Sequence, residues 1–274
     1  MGRRFFFAKT APIPKKGSFH RASEAHPVKA PVITMENQKL HTFDPSNLPR
    51  ISIITGHYGS GKTNIAVNMA LDFAKSGRRV TIVDLDIVNP YFRTADFRDM
   101  LTERGIDVIA PVYANTNLDI PALPPEINTI FGQDDRLVII DVGGDDAGAI
   151  ALGQFASRIE AAGYDMYYVI NERRYLTKDA SEAAVLLPEI EASARIRATK
   201  LINNTNLGED TTPEIIAHSR AFADEVSRLT NLPVAFTCAA KILLEDGRLT
   251  GGVADGPLAG CYPVELFVKK SWDN

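Results

Sequence analysis

The chain has little of what several protein classes require. It holds two cysteines, Cys238 and Cys261, too few for a disulfide framework and without the C-x-x-C or Cys/His spacing of a metal site. Both read as buried or inert thiols. No apolar stretch approaches the ~20 residues of a membrane-spanning helix, so the sequence predicts a soluble protein of the cytoplasm. The start MGRRFFF has the twin arginine of an export signal but lacks the apolar region that must follow; AKTAPIPKKGS stands there instead. The basic excess of a nucleic-acid-binding protein is missing too, since the formal net charge is -4. There is no internal repeat.

What is present is enough for one large domain: 274 residues, 45% of them hydrophobic and 23% charged. Residues 1–49 stand apart. Within 1–34, seven Lys/Arg face a single acidic residue, four prolines intervene and no apolar period is visible. This composition predicts a poorly ordered extension, or a basic docking arm, and Met35 is a second candidate start. From residue 50 to 274 the pattern changes to short apolar runs separated by helical segments: 51–55, 80–86, 136–141, 166–171, 199–203 and 233–237. Runs apolar on both faces are strands of a mostly parallel sheet covered by helices on both sides, an α/β fold.

Between these runs, Ile65, Ala66, Met69, Ala70 and Phe73 recur at helical spacing, with Gly77 placed to end the helix. Thr211, Pro213 and Glu214 give the first turn of a helix running to about Leu229. Residues 111–126 carry Pro111, Pro121, Pro124 and Pro125 and read as a loop before a short helix. Near the end, ILLEDGRL suggests a hairpin about Asp246-Gly247, and YPVELFVKK a final strand of a β-rich C-terminal appendage.

One run carries chemistry. Gly56, His57, Tyr58, Gly59, Ser60, Gly61, Lys62, Thr63 and Asn64 read GHYGSGKTN between a strand and a helix, a Walker A loop. Glycines let successive N–H groups curl toward a phosphate, and the helix that follows adds its positive end. Lys62 would reach the β- and γ-phosphates of ATP, and the Thr63 hydroxyl would hold Mg²⁺. RLVIIDVGG puts Asp141 at the end of a buried strand, where a second metal-side carboxylate belongs, with Gly143 and Gly144 permitting a mobile loop. VDLDIVNPYFR puts Asp84 and Asp86 at another strand end, before a turn favoured by Pro90. Paired acids there cost stability unless a divalent cation or an attacking water resolves their repulsion.

These motifs resemble the MinD/ParA/CobQ-CobB nucleotide-binding family of P-loop ATPases, through GHYGSGKT, VDLDIVNPYF, VIIDVGG and the strands ending in Asn171 and Asn203. The resemblance implies a Mg-dependent ATP hydrolase in which Lys62 and Asp86 are catalytic. Asp86 would position the attacking water and Asp84 would be an outer-sphere metal partner. Asn203, or Asn204 if the register slips by one, would read adenine, with Asn171 a weaker candidate. One departure concerns assembly: where relatives carry a signature Lys after the first glycine, this chain has His57, which is either a phosphate contact or an ordinary loop residue. The amphipathic membrane helix of MinD-like proteins is only faintly echoed by LFVKKSWDN, which argues against membrane docking.

The leading functional expectation is a switch regulated by a protein partner or a homodimer. Two alternatives remain: an ATP-dependent kinase or ligase resembling CobB or dethiobiotin synthetase, with Tyr91, Arg93, Arg173 and Arg174 clamping a small acceptor, and a slow nucleotide sensor.

Overall fold

The computed structural model describes residues 49–86, 94–111, 124–132, 135–144, 146–245 and 256–267. All of these fall in one compact unit, Lys39–Asn274. The N-terminal extension, Pro90, Tyr91, Arg93, the turn at Asp246-Gly247 and most of the 111–126 loop lie outside the described residues.

The strands are β1 (Ile51–Gly56), β2 (Arg79–Leu85), β3 (Ile106–Ile109), β4 (Arg136–Val142), β5 (Tyr164–Ile170), β6 (Lys200–Asn203), β7 (Val234–Ala240) and β8 (Tyr262–Val264). They form one eight-stranded sheet in the order β3-β2-β4-β1-β5-β6-β7-β8, and every described pairing is parallel. The helices are α1 (Lys62–Lys75), α2 (Arg98–Glu103), α3 (Asp146–Gly153), α4 (Ala156–Ala162), α5 (Ala180–Ala194), α6 (Pro213–Thr230) and α7 (Lys241–Glu245).

Alternation along each strand divides the core into two layers. Ile51, Ile53, Val138, Ile140, Met166 and Tyr168 point to one face, where Leu152 of α3, Ile159 of α4, Leu187 of α5 and Val226 of α6 cover them. Ile54, Ile82, Ile139, Tyr167 and Phe236 point to the other, under Ile65, Met69 and Phe73 of α1 and Leu101 of α2. Each such side chain, fully buried, contributes about 1.5–3 kcal/mol relative to exposure. The apolar runs were therefore sound indicators of strands. β1 sits between β4 and β5, so the loops after β1, β2, β4, β5 and β6 gather at one end of the sheet.

Two expectations near the C-terminus are corrected. Ile242 to Glu245 are not a strand of a hairpin but lie in α7, directly continuing β7. The last strand is three residues long and ends at Val264, not at Lys270. After it, the chain lies along α1. Asn64 Oδ1 accepts from the Phe267 N–H at 2.9 Å, and Asn68 exchanges hydrogen bonds with Glu265, accepting from its N–H at 2.8 Å and donating to its carbonyl at 2.9 Å. Tyr262 donates its hydroxyl to Asp72 at 2.6 Å. Asn64, Asn68 and Asp72 recur every four residues, so one stripe of α1 makes all these contacts. β3 escaped the sequence reading because it is four residues long and interrupted by Asp107.

Candidate functional site

The turn from β1 into α1 has the geometry that its glycines suggest. Gly61 caps α1 in the left-handed region at φ 92°, and a Cβ there would fall 2.2 Å from Asn204 Nδ2. That amide donates to the Ser60 carbonyl at 2.7 Å. Lys62 is buried and donates from Nζ to the His57 carbonyl at 3.2 Å, folded back over its own loop. Tyr58 is 63% exposed at the tip of the turn. The Ser60 hydroxyl is buried without a hydrogen-bond partner.

On the β4 side the loop meets carboxylates. Asp84 and Asp141 are register partners on adjacent strands, so both side chains point to the face that carries α1. Both are 1% exposed. Asp84 Oδ1 accepts from the Asp86 N–H at 2.9 Å, which holds the chain in a tight turn at the strand end. Asp141 Oδ2 accepts from the Thr94 hydroxyl at 2.9 Å, whereas Oδ1 is buried with no hydrogen bond. Burial raises the Asp141 carboxyl from 3.8 to about 6; the neighbouring Thr63 hydroxyl, the Lys62 charge and the Thr94 hydroxyl pull it down, and the Asp86 charge pushes it up. Oδ1 makes no close hydrogen bond although the Thr63 hydroxyl and the Lys62 charge act on the carboxylate, and such an oxygen suits a hard divalent cation. Among the described residues no three His, Cys, Asp or Glu side chains converge on a common point, so such a cation would need oxygen ligands from the nucleotide.

Gly144 closes this side. A Cβ built there would stand 2.6 Å from Tyr58 Cα, 2.7 Å from Tyr58 N and 2.9 Å from Lys62 Nζ. The loop after β4 therefore rests directly on the phosphate turn, and only a glycine allows the approach.

On the β5 side the surroundings are amides. Asn203 is completely buried, but its side chain belongs to the protein interior: it donates to Ser219 Oγ at 2.8 Å and accepts from the Thr205 hydroxyl at 2.8 Å. Strand alternation turns it to the face of α6, opposite α1. Asn204, one residue on, is the one that meets the phosphate turn. Asn171 Oδ1 accepts from the Arg173 and Asn206 N–H groups at 3.0 and 3.4 Å and ties two loops together. The Asn64 side chain holds the C-terminal segment. His57 keeps its ring beside its own loop, with Nδ1 3.0 Å from the Tyr58 carbonyl. The structure thus brings Lys62, Thr63, Asp84, Asp86, Asp141 and Asn204 to one end of the sheet and turns Asn64 and Asn203 to other work. Thr94 was missed, since no motif marks it.

Comparison with known proteins follows this geometry. Residues 51–171 match the family model of the CobQ/CobB/MinD/ParA nucleotide binding domain. A 73-residue stretch is 34% identical to the signal recognition particle 54 kDa protein of Sulfurisphaera tokodaii, covering 27% of this chain and 15% of that protein. Among solved structures, the chain is similar to signal recognition particle 54 kDa protein from Aeropyrum pernix K1 in complex with GDP, at 18% identity and a TM-score of 0.46 over 73% of this chain and 43% of that one. It is also similar to chloroplast FtsY from Physcomitrella patens, at 16% identity and a TM-score of 0.47 over 74% and 61%. The chain thus spans less than two thirds of each of these relatives.

Proposed function

We propose that this chain, whose residues 51–171 belong to the CobQ/CobB/MinD/ParA nucleotide-binding family, binds Mg-ATP, hydrolyses it slowly and uses the resulting change to regulate a protein partner or a second copy of itself. The observation that carries the reading is the unpartnered Oδ1 of buried Asp141 beside Thr63 and Lys62. Thr63 and Asp141 would hold Mg²⁺, which when bound neutralises charge shared by the terminal phosphates. Lys62 would turn from the His57 carbonyl to the phosphates. Asp86, at the end of the β2 turn, would orient the attacking water, and Asp84 fixes that turn through the Asp86 N–H. The backbone of Gly144, already against Tyr58 and Lys62, would sense the terminal phosphate.

Adenine is favoured over guanine by the loop after β6. The Watson–Crick edge of guanine presents N–H donors that need a carboxylate, and Asn203 to Leu207 supply none; the Asn204 amide suits the mixed donor and acceptor edge of adenine.

Melting with Mg-ATP and Mg-GTP, with ADP release measured in the absence of any acceptor, tests the reading. Mg-ATP at a hundredfold excess over Kd is expected to add about 2.7 kcal/mol, with less from Mg-GTP and slow ADP release. Equal or greater stabilisation by GTP would overturn the base assignment. ADP release only after a small carboxylate or amine is added would move the protein to the acceptor-phosphorylating class.

A further inference from the structure

We infer that Arg174 is a phosphate-binding residue supplied by the chain's own β5–α5 loop, a second cation on the nucleotide's phosphate tail facing Lys62 across the turn. This rests on the reading of residues 56–63 as a nucleotide site.

The placement follows from strand order. β5 lies directly beside β1, with Gly56 in register with Val169, so the residues after β5 run alongside the phosphate turn. A Cβ built at Gly59, in the middle of that turn, would be 3.7 Å from Arg174 Nε and 3.8 Å from its Cζ. The guanidinium therefore lies beside the turn, while the residue remains exposed to solvent.

Two further observations give the placement meaning. First, Arg174 lies beside the N-terminus of α1, whose first turn holds no acidic residue, so a guanidinium gains nothing from the helix end and suits this place only with an anion between them. Yet the Arg174 side chain forms no ion pair or hydrogen bond among the described residues. Two exposed arginines elsewhere, Arg197 and Arg228, each have a carboxylate, Glu191 and Glu225. The missing anion at Arg174 is of the kind that the turn is built to hold, and a planar fork of donors is suited to phosphate oxygens.

Second, the backbone that carries Arg174 is pinned from both sides. Its N–H donates to the Asn171 carbonyl at 3.2 Å, and its carbonyl accepts from the Thr177 N–H at 3.0 Å. The Thr177 hydroxyl donates to the same Asn171 carbonyl at 2.8 Å, and the Glu172 N–H donates to the Thr205 hydroxyl at 3.1 Å. The Asp179–Glu182 capping box then starts α5. A loop tied in this way fixes where the arginine's backbone stands, which lowers the part of the ordering cost of binding that comes from the loop.

The test compares Arg174→Ala, Arg174→Lys, Lys62→Ala and a remote charge control, Arg228→Ala, in the full chain. Affinities for Mg-ATP, Mg-ADP and AMP are measured by calorimetry, and turnover by ADP release. Arg174→Ala is expected to lose about tenfold to a hundredfold in affinity for Mg-ATP, the scale of one hydrogen bond to a charged group. The loss should shrink from triphosphate to monophosphate, Arg174→Lys should restore part of it, and the melting temperature without nucleotide should stay that of the parent protein. Arg228→Ala should be silent. If Arg174→Ala binds all three nucleotides as the parent does while Lys62→Ala does not, the inference fails and the nucleotide site stands. If Lys62→Ala also binds normally, the nucleotide reading itself fails. An equal loss for ATP and AMP, or a matching loss of stability without ligand, would make Arg174 a structural residue and overturn the inference.

Discussion

The two flanks of the phosphate turn are built on opposite terms. Toward β2 and β4 stand Asp84, Asp86 and Asp141, buried carboxylates among which Asp141 keeps one oxygen unsatisfied and a carboxyl raised to about 6 by burial. Toward β5 and β6 stand Asn171, Asn203, Asn204 and Thr205, neutral groups joined by hydrogen bonds that cross between loops. The first flank stores a cost that a bound cation and phosphate would relieve. The second is tied together without a ligand and sets positions, although Asn171 Nδ2 and Glu172 Oε2 there are also buried without a hydrogen bond. The contrast separates residues proposed to do chemistry from residues that hold the frame, a distinction that residue type alone does not make.

The sharpest way to break the contrast is to remove a chemical group from the first flank without touching the frame. Asp86→Ala should slow hydrolysis by roughly a hundredfold, the scale of a lost water-positioning group, while Mg-ATP affinity stays near that of the parent. Single-turnover measurements beside equilibrium binding separate the two effects; lost binding would make Asp86 a ligand-holding residue, and unchanged turnover would remove its assigned role.

A smaller effect concerns the stored cost at Asp141. Its folded-state pKa lies above the unfolded value of 3.8, so the folded protein binds the extra proton between the two values. The corresponding stability is fully present at low pH and is lost as pH rises through about 6. Asp141→Asn should therefore stabilise the metal-free protein at pH 7.5 by up to about 3 kcal/mol, and by roughly half as much at pH 5. Melting curves in EDTA at both pH values measure this. A less stable Asp141→Asn at pH 7.5 would mean that the carboxylate is not strained.

The smallest effect sharpens the second flank. Asn203→Ala should cost about 1–3 kcal/mol of stability by stranding Ser219 and Thr205, with nucleotide preference retained. Asn204→Ala should cost a similar amount by stranding the Ser60 carbonyl, and unlike Asn203→Ala should weaken the preference for ATP over GTP about tenfold. Urea unfolding and competition binding on the same preparations would expose an exchange of these roles.

Much of this was legible in the sequence, for identifiable reasons. Central parallel strands are apolar on both faces, so β1, β2, β4, β5, β6 and β7 announced themselves as unbroken runs, and the glycines and Lys62 fixed the phosphate turn between the first of them and α1. The choice between Asn203 and Asn204 was not legible: with a side-chain period of two, one step decides between the α6 face and the site, and the face is set by packing partners remote in sequence. The place of Arg174 was hidden for a similar reason, since it depends on β5 rather than β2 lying next to β1. The Asp246-Gly247 pair signalled a turn without revealing that Ile242 to Glu245 are helical, because a short apolar run with one charge fits either state.

The stripe of Asn64, Asn68 and Asp72 on α1 bears on how the chain matures. Its partners are Phe267, Glu265 and Tyr262, about two hundred residues later, as the separations of 203, 197 and 190 show. During synthesis the helix behind the phosphate turn emerges early and stays with that stripe uncovered until residues 262–267 leave the ribosome. Contacts of such span form late and slowly. Nascent chains halted before residue 262 should hold a sheet core yet yield to protease along α1.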